Sequence, residues 1–167
     1  MDVFHTLAQM AVAVTGFSSL VIIFGGGSSV WTSQHFVTFA FSLAWSIGSI
    51  FLSLLPIILV EFGMTLAEAA QHGLFLQVAY MFAVAGGLTY ARTRLAGDGI
   101  REVRRRVSVG MTLAFIGIAS CALLAGLGLL PGQSRAWYAT TIVFLLAHAT
   151  SELGILVVQS MRLPRSG

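Results

Sequence analysis

Apolar residues gather into five long stretches along this chain, approximately 5–24, 36–60, 67–91, 107–130 and 137–160. Each is long enough to cross a bilayer as a helix, since ~20 residues cover ~30 Å of hydrocarbon. Polar positions inside these stretches follow the period of a helix. Between Phe36 and Val60 the hydroxyl-bearing residues Thr38, Ser42, Ser46, Ser49 and Ser53 recur at steps of four, four, three and four. At ~100° per residue they fall within roughly a quarter of the helix circumference. His35 opens the same line and Pro56 lies on it. A face of hydroxyls is poorly matched to lipid, so it is expected to look at another helix, another subunit or water.

The fourth stretch carries a stripe of a different kind. Gly110, Ala114, Gly117, Cys121, Ala125 and Gly128 recur at steps of four, three, four, four and three. Every member is small, which lets a neighbouring backbone approach closely, and the stripe predicts a helix-packing face. A shorter run in the third stretch, Ala79, Ala83, Gly86 and Gly87, reads the same way.

The linkers are Gly25 to Ser29, Glu61 to Leu66, Arg92 to Arg106 and Pro131 to Ala136, none long enough for a soluble domain. Residues 1–167 are therefore read as one polytopic membrane domain. Thr65-Leu66-Ala67-Glu68 matches a capping box and predicts the start of the third helix. Asp98-Gly99 marks a turn, after which the chain can run directly into the fourth helix, with Glu102 and Arg106 one turn apart. The glycines Gly25, Gly26 and Gly27 form a hinge or tight turn and lack the lysine of a phosphate loop. Only Met1-Asp2-Val3-Phe4 precedes the first stretch, without a basic leader, so it is read as a mature helix. No internal repeat is evident, which disfavours an inverted-repeat transporter.

Composition agrees. The chain is 57% hydrophobic and 9% charged, against about 25% charged in a soluble domain. All nine basic residues are arginine. Arg92, Arg94, Arg101, Arg104, Arg105 and Arg106 lie between the third and fourth stretches, and Arg162 and Arg165 follow the fifth. The positive-inside rule then places the C-terminus in the cytoplasm and the N-terminus outside, with Glu61, Glu68 and Arg135 on the outer side. The basicity is thus a topology signal and a contact for anionic lipid headgroups at Arg104, Arg105 and Arg106, and no nucleic-acid partner is implied. Trp137, Tyr138 and Tyr90, near the ends of their stretches, suit interfacial anchors. The composition resembles that of small multi-pass proteins of bacterial inner membranes, which makes that membrane the expected location.

Residues able to carry chemistry are few. His148 and Glu152 lie four apart on one face of the fifth helix, near mid-bilayer, and Thr141 and Gln159 extend that face. An ionisable group at that depth costs several kcal/mol unless it is neutral, paired or hydrated. A His–Glu couple can share or relay a proton or hold a cation; alternatively, a protonated Glu152 merely ties helices together. The hydroxyls of the second stretch have the same two readings: they hydrate a path, or they bond back to their own helix and pack. Gln77 is a weaker candidate for a polar interior, and Thr15, Ser18 and Ser19 suit helix contact. His5, His35, His72 and His148 lie at depths that do not pair as haem ligands. A surface metal site of His5 and His72 with Glu61 or Glu68 is a weak alternative. One cysteine, Cys121, excludes an intramolecular disulfide and a cysteine cluster, and no serine elbow supports hydrolysis. No cofactor and no enzymatic activity are implied.

The expectation is an all-α integral membrane protein of five transmembrane helices. A chain this small hardly surrounds an aqueous path alone, so a homo-oligomer is expected. In it, the hydroxyl stripe of the second helix, and with it the His148–Glu152 face, line an ion or small-solute conduit. The alternative is a non-conducting subunit that assembles with, or regulates, a membrane protein partner.

Overall fold

The structure is a computed structural model that describes residues 2–25, 33–95, 102–130 and 132–161. Among these residues every regular element is a helix: α1 (Asp2–Gly25), α2 (Ser33–Glu61), α3 (Leu66–Leu95), α4 (Glu102–Gly126) and α5 (Ser134–Met161). α1, α2, α3 and α5 each contain a segment long and apolar enough to cross a membrane, and α4 adds the apolar run Thr112–Gly126. The five apolar stretches therefore become five helices. The expected turn at Asp98-Gly99 and the glycines after Gly25 lie outside the described residues, as do the side chains of His35, Arg104, Arg105, Arg106 and Gln159.

Local sequence sets the helix ends. The expected capping box forms: Thr65 N donates to Glu68 Oε2 at 2.8 Å, and Glu68 N donates to Thr65 Oγ1 at 3.3 Å. These bonds satisfy backbone donors that the first turn of α3 leaves without helical partners. α2 and α4 stop alike. After α2, Gly63 at φ +94° lets Gly63 N reach Val60 O and Met64 N reach Leu59 O. After α4, Gly128 at φ +75° lets Gly128 N reach Ala125 O and Leu129 N reach Leu124 O. Both are Schellman stops, which need a left-handed residue that only glycine adopts without strain. Gly128, expected only as a member of the small-residue face, also ends α4, while a Cβ there would still meet Gln71 Nε2 of α3 at 3.4 Å.

α5 packs against all four other helices. α2 and α3 complete a central trio with it, α1 lies against α2 and α5, and α4 lies against α3 and α5. α3 runs antiparallel to α2, with Tyr80 against Ala44 and Gly87 against Phe41, and to α4, with Gln71 against Gly126 and Phe82 against Phe115. α1 and α5 run parallel, with the Phe4 ring set edge-on to Tyr138 at 5.6 Å.

One contact joins the trio at the end where α5 begins. Pro56 lies inside α2 and has no N–H, so the carbonyl one turn earlier, on Leu52, lacks its helical donor. Tyr138 of α5 supplies one: its hydroxyl donates to Leu52 O at 2.6 Å, in a fully buried setting. The backbone carbonyl of Tyr138 in turn accepts from Gln77 Nε2 of α3 at 3.3 Å. Gly73 of α3 makes room for the ring, since a Cβ there would come within 2.5 Å of Tyr138 Cε2. Tyr138 is thus no interfacial anchor. It turns inward and is wholly buried, whereas Trp137 stays partly exposed and Tyr90 is 63% exposed.

This arrangement makes Tyr138 and Pro56 energetically coupled. Tyr138→Phe is expected to cost about 1–3 kcal/mol, because it strands a buried carbonyl. In a Pro56→Ala background the helical N–H returns and the same substitution costs less. Chemical unfolding in detergent of the four proteins of this cycle measures the coupling; strict additivity would show that the tyrosine does not serve the proline-freed carbonyl.

Candidate functional site

The hydroxyl stripe of α2 faces the interior of the single chain. Ser42, Ser46, Ser49 and Ser53 are fully buried and Thr38 nearly so. Three of them spend their proton on their own helix: Ser46 Oγ donates to Ser42 O, Ser49 Oγ to Trp45 O and Ser53 Oγ to Ser49 O, at 2.7–2.8 Å. Ser42 alone reaches across, donating to Ala149 O of α5 at 3.0 Å. Of the surroundings weighed for this face, another helix is the one found. A small side chain that bonds back to its own backbone offers a neighbour a smooth surface, and α5 meets this one at Ala149. Thr15, Ser18 and Ser19 of α1 bond back in the same way, and of these Ser18 is buried.

His148 and Glu152 lie on α5 near its middle. His148 Nε2 stands 4.0 Å from Glu152 Oε1, and the side chains are 14% and 8% exposed. That separation is longer than a direct hydrogen bond but within the range of a charged pair. Rings surround the imidazole. The Trp45 ring of α2 meets it edge-to-face at 5.2 Å, and Phe144, one turn earlier on α5, lies at 6.2 Å. Trp45 is itself fully buried and packs edge-on against Tyr80 of α3 at 6.2 Å. Tyr80 donates its hydroxyl to Ala44 O of α2, and its ring occupies the space where a Cβ on Gly48 would stand. Thr141, on the same face of α5, is buried and donates to Trp137 O at 2.8 Å. The sequence-read pair is thus set in an aromatic layer at the junction of α2, α3 and α5.

Two buried polar atoms in this interior, Trp45 Nε1 and Gln77 Oε1, have no hydrogen-bond partner. A buried polar atom left without a partner ordinarily costs about 1–3 kcal/mol. Gln77 does face the interior, as its sequence context suggested, but it serves Tyr138 and not His148.

The small-residue stripe of α4 divides. Ala125 is buried and Cys121 half-buried, while Ala114 and Gly117 are exposed. Gly110 lies outside the residues whose surroundings are described. α4 also comes close to α3 at Gly126, which the stripe omitted: a Cβ there would meet Phe75 Cζ at 3.3 Å, and its carbonyl accepts from Gln71 Nε2 at 3.0 Å. The run Ala79, Ala83, Gly86 and Gly87 on α3 is likewise exposed. Among the described residues no three His, Cys, Asp or Glu side chains come together as a metal site requires.

Sequence reasoning passed over Tyr80, Gly48 and Gly73, and read Tyr138 as an anchor, although these residues position α2 and α3 around the pair. A legible signal existed for one of them: a mid-helix proline frees a carbonyl, and that carbonyl demands a donor.

The two kinds of serine separate by mutation. Ser42→Ala removes an interhelical bond and is expected to cost about 0.6–1.7 kcal/mol, while Ser46→Ala is nearly neutral. Ser49→Leu overpacks a fully closed seam and is expected to cost about 1–3 kcal/mol. Thermal melting in detergent orders the three; equal effects of the two alanine variants would refute the distinction. No protein-family model, curated protein or solved structure matches the chain, and the functional reading rests on the geometry of the α5 pair and the layer around it.

Proposed function

We propose that this chain is an integral membrane protein with its N-terminus outside and C-terminus in the cytoplasm, and that it acts as a proton-responsive subunit. Its responsive element is the pair His148–Glu152. One observation carries this reading: the two side chains are held 4.0 Å apart, largely buried, on the helix that touches every other helix. A change of charge at such a point alters the packing of α5, and through α5 the surface the chain presents to a membrane partner or to another copy of itself. The packed interior favours this use over conduction, because the hydroxyls of α2 are closed off between helices and most of their protons are bound to backbone. Arg104, Arg105 and Arg106 contribute by holding the cytoplasmic end against anionic lipid headgroups.

A second reading, the homo-oligomeric ion conduit, draws on one specific feature. A serine that donates its proton to a carbonyl keeps its oxygen lone pairs, so Thr38, Ser42, Ser46, Ser49 and Ser53 align five acceptors that can hydrate a cation once the seam opens. In that case α2 lines the path and the α5 pair sets its sensitivity to protons.

Reconstituted protein separates the two. Oligomer mass, melting temperature and ion flux are measured in liposomes or matched micelles between about pH 5 and 8, the range in which histidine ordinarily titrates, beside Glu152→Gln. The subunit reading expects no flux, together with a mass or melting temperature that follows pH in the parent and not in the variant. Flux that follows pH and loses that dependence in the variant would establish the conduit instead. A folded protein indifferent to pH in all three would reduce the pair to a tie between helix turns.

A further inference from the structure

We propose that Trp45 is the residue through which α2 senses the charge of His148. This deepens the proton-responsive reading and rests on it. The imidazole centroid lies 5.2 Å from that of the Trp45 ring at an interplanar angle of 80°, a direct ring contact close enough for the charge of one ring to act on the quadrupole of the other. Neutral, the two rings form an ordinary edge-to-face pair. Charged, the imidazolium acts on the quadrupole of the indole, and the strength of the α2–α5 contact changes with its proton. The change does not stop at Trp45. The indole is fully buried and wedged against Tyr80, whose hydroxyl is bonded to the α2 backbone at Ala44, beside Gly48. A shift of the indole is therefore carried to both α2 and α3. Trp45 Nε1, buried without a hydrogen-bond partner, gives the ring no bond that would fix it in one place.

The groups that bear on His148 are few among the described side chains. Glu152 is on its own helix. Tyr80 of α3 lies across the indole, and Cys121 is the titratable side chain of the described part of α4. Asp2 and His5 of α1 and Glu61 of α2 sit toward the end of the bundle where α1 and α5 begin, away from the mid-helix position of His148. Trp45 is the aromatic residue of α2 that contacts the imidazole.

Indole emission reads this contact directly. An imidazolium in contact with excited indole takes up an electron and returns it on recombination without light, whereas neutral imidazole does so far less. The probe is a protein carrying Trp31→Phe and Trp137→Phe, in phosphatidylcholine vesicles, so that Trp45 is the remaining tryptophan. Its emission is expected to fall reversibly between about pH 8 and 5. The fall is expected to vanish in His148→Gln and to persist with a displaced midpoint in Glu152→Gln. Should His148→Gln fail to fold, His148→Phe keeps a ring against Trp45 and serves the same purpose. A fall that survives loss of His148 overturns the assignment. So does constant emission while mass or melting temperature still follows pH, a result that leaves the pair as the responsive element and removes Trp45 from it. Constant emission with pH-independent mass and melting overturns the responsive reading as well.

Discussion

The bond from the Tyr138 hydroxyl to the Leu52 carbonyl is the constraint around which this bundle is arranged. A proline in the middle of a long apolar helix leaves an acceptor that lipid cannot satisfy. The structure answers with a tyrosine from a different helix, and much else follows from bringing that ring into place. Gly73 gives up its side chain to admit it, Phe4 closes over its edge, and Gln77 binds its backbone. α2, α3 and α5 are thereby brought to a common register at one end. The same register places Trp45 between Tyr80 and His148 deeper in the bundle.

The hydroxyls of α2 take on a plain physical meaning in this setting. They are small, buried side chains whose polarity is largely absorbed by their own backbone, with Ser42 reaching α5. A packing stripe and a water-lined stripe look identical in sequence, because both require short polar residues at helical spacing. What separates them is the side on which the partner helices lie, and that is a property of the whole bundle.

Much of the architecture was nonetheless legible. Helix number followed from hydrophobic length, and the start of α3 from the capping box at Thr65 and Glu68. The His148–Glu152 pair was recognisable because ionisable groups are scarce in such stretches. Other features escaped for definable reasons. Tyr138 reads as an interfacial anchor because tyrosine near a helix end usually is one; only the donor deficit created by Pro56 distinguishes it. Gly128 falls on the spacing of a packing stripe, and that spacing does not record the left-handed backbone with which it also ends the helix. Gly48 and Gly126 matter because of what approaches them from another helix, and no local pattern on their own helices records that approach.

The tyrosine bond also bears on how the chain is made. Leu52 and Tyr138 are separated by 86 positions, so at a synthesis rate of ~5–20 residues per second the carbonyl waits about 4 to 17 s for its donor. During that interval the apolar helix α2 carries an unmet backbone group at its proline. The helices before α5 thus form an unfinished interior, and the fifth helix brings the donor that completes it around Pro56.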